Sequence, residues 1–435
     1  MNFINYYILR LVYFRTIYSA GKLLGRNGMQ QKRHVVIGAS AAGIGAVNRL
    51  ARLAPDDQII CISGESDAPY NTCLLADYGV GQKSEQELSI FNSERVLSSV
   101  KMKLGIWVDK IVPDKKQVVL ADGECISYDT LFIGTGSSAI IPNIPGIRDC
   151  AGVFTFHTLD DCKKVLEYVE KNRVKRAVVI GAGLTGLETA DMLLAHDIAV
   201  SVVEKQERVL QQLIPEQGSQ FIERYLRAVG VQFYPNSTVV NIAEQDKRIM
   251  GVELAEGAFL FADLIIVAVG AKRNDQLARD AGIMIGSNGI MTDQYMRTSI
   301  EGIWAGGDVA QVTCVFTQKP VTSCTWSDAM LQGLIAAHAM TGNPKIYGGA
   351  NRIVDSAFFG LYFQAAGEPN RSLAGEQEQA THIKMSEEEI CILASEHNKP
   401  VGYFRCGVQE LSPELKRAKQ ILLSGEALVD DTLVS

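Results

Sequence analysis

One short pattern occurs twice in this chain, and it restricts the fold more than any other feature. His34-Val35-Val36-Ile37 is an apolar run of strand length. Gly38-Ala39-Ser40-Ala41-Ala42-Gly43 follows, then helical spacing from Ile44 to Leu53, then a second apolar run from Gln58 to Ile62. Later, Ala177-Val178-Val179-Ile180 leads into Gly181-Ala182-Gly183-Leu184-Thr185-Gly186. Helical spacing follows from Leu187 to His196, then a strand from Ala199 to Val203 that ends in Glu204. Strand, glycine turn, helix, strand is the unit of a parallel α/β sheet that binds a dinucleotide. The first glycine permits the turn, the second keeps a side chain out of the phosphate path, and the third lets helix and strand pack closely. The helix behind the turn offers free N–H groups to a pyrophosphate. The expected contacts are Gly38, Ser40, Ala42 and Gly43 in the first copy, where Ser40 is a small substitute for the middle glycine. In the second they are Gly181, Gly183 and Gly186. Glu204 is placed to accept hydrogen bonds from adenosine ribose hydroxyls, and a carboxylate there repels a 2′-phosphate. NADH is therefore expected over NADPH, with Lys205 and Arg208 softening the preference.

Composition narrows the class. The chain has 435 residues, 47% apolar and 21% charged, which suits a soluble globular protein of roughly two to four domains. A net charge of -7 argues against a nucleic-acid partner. Nine cysteines are scattered without a CxxC pair, so neither a disulfide framework nor a zinc ribbon is expected, and a reducing, cytoplasmic setting is. The six histidines form no metal spacing, and no metal is expected. Residues 1–28 differ from the rest, with four bases (Arg10, Arg15, Lys22, Arg26) and no acid. Arg10 and Arg15 interrupt any membrane span. A disordered or non-native extension ahead of Met29 is the expectation, with a basic amphipathic anchor as the alternative.

Further segments fall in order behind these two turns. They are Tyr128 to Ser137, Asp263 to Gly270, Thr298 to Ala310, and Trp326, Ala329, Gln332, Gly333, Ala336 and Ala337. With them, residues 30–435 resemble the pyridine nucleotide-disulfide oxidoreductase family, flavoproteins that pair FAD with NAD(P)H. The resemblance implies an α/β fold with two Rossmann-like dinucleotide-binding domains and a C-terminal α+β interface domain. The FAD domain would span 29–148 and 274–343, the NAD(P) domain 149–273, and the interface domain 344–435. In the last, 353–367 matches a strand segment, Ile390 to Arg405 reads as a hairpin around Asn398-Lys399-Pro400, and Pro413 to Leu423 as a short amphipathic helix. That domain builds the dimer in the family, so a homodimer is implied. Gly134, Thr135 and Gly136 belong to the crossover out of the FAD domain and Gly270 to the return. Gly307 and Asp308 belong to the second FAD motif. There a strand ends at Ala305, a helix is expected to open near Asp308, and the Asp308 carboxylate suits the ribityl hydroxyls. Glu65, just past the second strand, is the candidate for the FAD ribose. Glu188 corresponds to a glutamate near the nicotinamide and flavin, with a packing or ion-pair role as the alternative.

The electron acceptor turns on residues 67–78, Asp-Ala-Pro-Tyr-Asn-Thr-Cys-Leu-Leu-Ala-Asp-Tyr. One alignment sets Cys73 on the redox cysteine of NADH oxidases and coenzyme A-disulfide reductases. A cysteine ahead of a helix is expected to have a lowered pKa. Cys73 would then act on a disulfide, persulfide or oxygen. Leu74 to Asp77 depart from that branch's CGxPY. The other alignment sets Pro69-Tyr70-Asn71 and Leu75 on the segment of rubredoxin, ferredoxin and nitrite reductase flavoproteins, with a small electron-carrier protein as partner. Cys73 would then be a buried small hydrophobe. A third alternative is a slowly turning-over NADH-binding flavoprotein that acts through partners. The working expectation is an FAD-dependent NADH oxidoreductase with Cys73 and Glu188 as its reactive side chains.

Overall fold

The computed structural model describes residues 31–90, 100–148, 150–369, 379–396 and 399–409. The extension 1–28, Asn398 and the Pro413 to Leu423 segment lie outside the described residues. The first sheet holds β1 (Arg33–Ile37), β2 (Gln58–Ile62), β3 (Val100–Lys103), β4 (Thr130–Ile133) and a strand from late in the chain, β10 (Ile303–Ala305). They run in the order β10-β4-β1-β2-β3, all parallel. The strands are continuous apolar runs because both faces are covered: Val35, Val36, Leu131, Phe132 and Ile133 are fully buried. Helix α1 (Ala41–Leu53) packs against the Trp326–Met340 helix, where a Cβ on Gly333 would fall 1.9 Å from the Ala42 carbonyl oxygen.

The second sheet repeats this plan. β5 (Val153–Thr155), β6 (Arg176–Ile180), β7 (Ala199–Val203), β8 (Gln232–Tyr234) and β9 (Leu264–Val267) lie in the order β8-β7-β6-β9-β5, again all parallel. In each sheet the first strand of the unit is central, with its successor on one side and a returning strand on the other. The helix after each glycine turn begins three residues earlier than the apolar spacing predicts, α1 at Ala41 and α4 (Leu184–Ala195) at Leu184. A short helix α2 (Leu75–Gly79) and α3 (Leu159–Asn172) share the apolar cluster of the second sheet. A two-stranded antiparallel pair, Ser137–Ala139 with Ala271–Arg273, joins the chain's two crossings.

No helix opens at Asp308, contrary to expectation. Gly307 has a φ of +78, and the Ala310 N–H donates to the Gly307 carbonyl at 2.9 Å, closing a tight turn. The chain then continues as a strand, Ala310–Thr313, beside Gly289–Met291. Val309 and Val312 are buried there, and their β-branched side chains suit a strand better than a helix start. The next helix waits until Trp326.

The C-terminal sheet is antiparallel. It holds β11 (Val354–Phe358), β12 (Leu361–Gly367), β13 (Gln379–Met385), β14 (Glu389–Glu396) and β15 (Lys399–Gly407), in the order β11-β12-β15-β14-β13. The 353–367 segment is thus a hairpin, turning at Phe359 and Gly360 with φ of 54 and 73. The Ile390 to Arg405 hairpin is present as β14 and β15. Among the described residues no helix is long and apolar enough to cross a membrane.

The cores do not follow the chain. One apolar cluster joins the first sheet to α1 and the Trp326–Met340 helix. A second joins one face of the second sheet to the C-terminal sheet, and it also takes in Tyr70, Leu75 and Leu88. The segment that carries Cys73 therefore leaves the first sheet and packs on the second.

Candidate functional site

Both glycine turns sit at the carboxyl ends of their sheets, between the central and the returning strand, where strand order reverses. Gly38 has a φ of +100, and a Cβ there would fall 2.1 Å from the Gly134 oxygen. Gly181 has a φ of +109, and its Cβ would fall 2.3 Å from the Ala268 oxygen. The third positions are as tight, with Gly43 at 1.8 Å from the Gly38 oxygen and Gly186 at 2.1 Å from the Gly181 oxygen. The middle positions are different. Nothing lies within 4 Å of a Cβ built on Gly183. Ser40 is exposed, and its hydroxyl makes no cap bond to α1. Neither α1 nor α4 has an acid in its first turn, whereas α3 has Asp160 and Asp161 and a capping box from Thr158. Two uncapped helix N-termini therefore face open cradles with no acid in the helix's own first turn, which fits the pyrophosphate of a dinucleotide.

The crossover residues are stapled to one another. The Thr135 hydroxyl donates to the Asn274 carbonyl at 2.8 Å, the Asn274 amide donates back to the Thr135 carbonyl at 2.9 Å, and the Asn274 N–H donates to the Gly136 carbonyl at 3.0 Å. Gly270 accepts from the Ile140 N–H at 2.9 Å. Behind Asp308, buried Gln332 accepts from the Gly307 N–H at 2.7 Å and fixes the turn. Asp308 Oδ2 accepts from the Ser137 hydroxyl at 3.0 Å, and the Ser137 carbonyl is in turn bound by His157 Nε2 at 2.9 Å.

The two ribose candidates are held differently. Glu204 closes over its own turn: Oε2 accepts from the Ala182 N–H at 2.7 Å and Oε1 from the Gln206 N–H at 2.8 Å. Glu65 reaches outward. Its Oε2 accepts from the Tyr70 hydroxyl at 2.7 Å, and the Tyr70 oxygen accepts from the Leu159 N–H at 2.9 Å. Arg208 is held by the chain that follows it. Its guanidinium donates to the Ile214 carbonyl at 2.8 Å, in the loop ahead of the Glu216–Ala228 helix, and to the buried Ser219 hydroxyl at 2.9 Å within that helix. Sequence reasoning missed Trp107. Its ring is 65% exposed and lies against Gly64, where a Cβ would fall 2.3 Å from the ring. The only signal in the sequence is an aromatic residue beside a glycine-bounded loop.

Cys73 lies in the single helical turn Thr72–Leu74, where its N–H donates to Asn71 Oδ1 at 3.0 Å. The residue is exposed, so it is not a buried small hydrophobe. Nor is its pKa lowered. Packing around the thiol, then the charges of Glu188 and Asp308, push it up to about 12. Helix α2 is only five residues long and Asn71 already caps the turn, so the helix end gives little counterweight. Glu188 accepts a short hydrogen bond from the Ser356 hydroxyl on β11. Burial raises its carboxyl to about 7, Ser356 opposes this, and the charge of Asp77 adds to it. Its partner is thus a hydroxyl rather than a cation. Cys73 thus lies within electrostatic reach of Glu188 and Asp308, and Glu188 within reach of Asp77, although Glu188 and Asp308 are remote from residues 73–77 in the chain. Cys324 also feels Asp308 and is exposed, while Cys61 and Cys314 are buried. His338 is packed, accepting from Arg49 Nε at 2.9 Å. Among the described residues no three His, Cys, Asp or Glu side chains cluster as a metal site.

The Cys73 segment is fastened to the second unit at several points. Lys163 Nζ on α3 binds Asp67 at 2.8 Å and Glu85 at 3.1 Å. The Cys162 thiol faces the Leu75 carbonyl at 3.6 Å, and His196 Nε2 donates to the Gly79 carbonyl at 2.8 Å. A Cβ on Gly79 would lie 2.2 Å from Met192 Sδ.

Residues 32–333 match the family described as pyridine nucleotide-disulphide oxidoreductase. The chain belongs to that family. Relatives include the NADH-dependent phenylglyoxylate dehydrogenase subunit epsilon of Aromatoleum evansii, 29% identical over 80% of this chain and 82% of that protein. The 3-phenylpropionate/cinnamic acid dioxygenase ferredoxin–NAD(+) reductase component of Photorhabdus laumondii is 30% identical over 72% of this chain and 79% of its own length. A solved NAD-dependent persulfide reductase from A. fulgidus superposes with a TM-score of 0.83 at 28% identity, covering 91% of this chain and 77% of that one. As a family member the protein is an oxidoreductase that uses FAD with NADH or NADPH.

Proposed function

We propose that this flavoprotein takes electrons from NADH and passes them to a disulfide or persulfide through Cys73. The observation that carries the reading is the position of Cys73, an exposed residue whose thiol is within electrostatic reach of both Glu188 from the second unit and Asp308 from the first. When bound, the nicotinamide supplies a hydride and the flavin holds the electron pair. The residues around them divide the work of holding the two cofactors. Gly38, Ser40, Ala42 and Gly43 cradle the FAD pyrophosphate, with Glu65 and the exposed face of Trp107 toward its adenosine. Gly134, Thr135, Gly136, Gly307 and Asp308 line the flavin end, and Asp308 binds ribityl hydroxyls. Gly181, Gly183 and Gly186 cradle the pyrophosphate of NADH, Glu204 binds its ribose and disfavours a 2′-phosphate, and Gly270 borders the nicotinamide end.

A thiol with a raised pKa needs a base before it can attack. Glu188, half protonated near neutral pH, accepts the Cys73 proton. The thiolate then attacks the substrate sulfur, the substrate S–S bond breaks, and the first product leaves as a thiol after taking up a proton. The electron pair next cleaves the mixed disulfide, releasing the second product and restoring Cys73. Cys73→Ser should lower turnover of small disulfides and persulfides by about 100-fold or more while NADH oxidation by a one-electron dye continues. Full disulfide turnover by the variant would contradict the assignment.

A second reading has its own support. The raised pKa of Cys73 disfavours a thiolate, and one relative is named as a ferredoxin–NAD(+) reductase component. In that reading a small electron-carrier protein takes the electrons directly, and Cys73→Ser reduces the carrier at the wild-type rate. Oxygen is a third acceptor for the reduced enzyme. A homodimer through the C-terminal sheet, where Ile383 and Met385 are exposed, and a cytoplasmic setting, where nine free cysteines stay reduced, complete the proposal.

A further inference from the structure

We infer that Ser356 is the positioning residue for Glu188, and that the β11–β12 hairpin of the C-terminal sheet thereby sets the direction in which that carboxyl group faces Cys73. The inference rests on the reading that Glu188 exchanges a proton with Cys73. It begins with a residue in the wrong place. Along β11 the side chains alternate, with Asp355 and Ala357 exposed and Val354, Ser356 and Phe358 turned inward. Val354 and Phe358 belong to the apolar cluster shared with the second sheet. Ser356 stands between them, at a position where the alternation calls for a hydrophobe. A hydroxyl there is costly unless it is bonded, and its partner is Glu188 Oε1, on a different sheet's helix.

The hairpin grips α4 a second time. At its turn Phe359 adopts a left-handed φ of 54, and its backbone N–H faces the Asp191 carboxylate. Glu188 and Asp191 are one helical turn apart and lie on the same face of α4. Two donors from one hairpin thus meet two acceptors on one helix, which fixes the rotation of α4 about its axis as well as the Glu188 rotamer. The groups that face Glu188 are Ser356 from β11, Asp77 from α2 and Cys73 from the turn ahead of α2. Ser356 is the donor among them that favours the ionised carboxylate. Without it, Glu188 keeps its proton to higher pH and serves less well as a base.

The test is a double-mutant cycle on FAD-loaded full-length protein, reading the pH profile of disulfide reduction after anaerobic reduction by NADH. Ser356→Ala should move the midpoint of the rising limb upward by about one pH unit, with the KM for NADH unchanged, and Ser356→Thr should restore it. In a Glu188→Gln background, Ser356→Ala should change nothing further. An unmoved midpoint in Ser356→Ala, with an altered profile in Glu188→Gln, would overturn the positioning role alone. The same loss from Ser356→Ala with and without Glu188 would also overturn it, marking a purely structural residue. A wild-type profile in Glu188→Gln would instead remove the proton role of Glu188, and the positioning role with it.

Discussion

The two glycine turns are built alike and used differently. In both, the first and third positions press against backbone oxygens, and the helix behind begins uncapped. They part at the carboxylate beyond the second strand. Glu204 folds back onto its own turn through Ala182 and Gln206. Glu65 is tied instead to Tyr70, and through it to Leu159 at the start of α3. The second unit is thus closed on itself, while the first lends the segment that follows β2 to its neighbour. The difference teaches that the thiol's segment is anchored on α3 and α4 of the second unit rather than on the first sheet. Cys73 stays in register with Glu188 because residues 67–88 are packed and ion-paired onto α3 and α4, whatever the first sheet does.

The comparison can be broken most severely at the positions the turns share. Gly43→Val and Gly186→Val each drive a side chain into a carbonyl 1.8 Å or 2.1 Å from the Cβ site. Each should cost more than about 4 kcal/mol, read as loss of the folded protein in a thermal melt. The middle position separates cradle from core. Gly183→Val points into open space at a φ of -78. It should leave the melting temperature within about 2 °C while weakening NADH about 100-fold, measured by titration of the flavin spectrum.

A smaller effect comes from Glu188. Its folded-state pKa of about 7 lies above the ordinary 4.5. The folded protein therefore binds more protons than the unfolded chain across that window, and stability falls as pH rises through it. Glu188→Gln should remove that slope and stabilise the protein at pH above about 8 by on the order of 1–3 kcal/mol, read from denaturant midpoints. Tyr70→Phe should cost about 1–2 kcal/mol by orphaning Glu65 and the Leu159 N–H. Lys163→Met, which loosens partly exposed pairs with Asp67 and Glu85, should cost under about 1 kcal/mol. If Tyr70→Phe also slowed disulfide turnover without changing NADH affinity, the coupling of the Cys73 segment to the second unit would be sharpened.

Much of the fold was legible because parallel strands buried on both faces are unbroken apolar runs, as at Val35 to Ile37 and Val178 to Ile180. The helix starts were read three residues late because Ala41 and Leu184 belong to first turns that face the cradle, where apolar spacing has no reason to begin. The Gly-Gly-Asp of residues 306–308 resembles a helix start, yet Val309 and Val312 decide in favour of a strand. The hairpin turn at Phe359-Gly360 has the glycine of a two-residue turn but Phe in place of Asn or Asp ahead of it, and its left-handed Phe is held by Asp191 on another element. For the site, the cradle glycines could be named from spacing alone. The meeting of Cys73 with Glu188, Asp308 and, through Glu188, Ser356 could not, since it depends on a segment crossing from one core to another. The expected low thiol pKa failed chiefly because the folded chain packs around the thiol, and then because Glu188 and Asp308, remote in sequence, raise it further.

The most direct test of the account is an anaerobic NADH titration of wild type and Cys73→Ser, followed by flavin absorbance. With a thiol relay in the cleft, wild-type protein first converted by a small disulfide to the Cys73 mixed disulfide should take up about four electrons per subunit, two into the flavin and two to cleave that disulfide, and the variant treated alike about two. Uptake of about two electrons by both would remove Cys73 from the electron path.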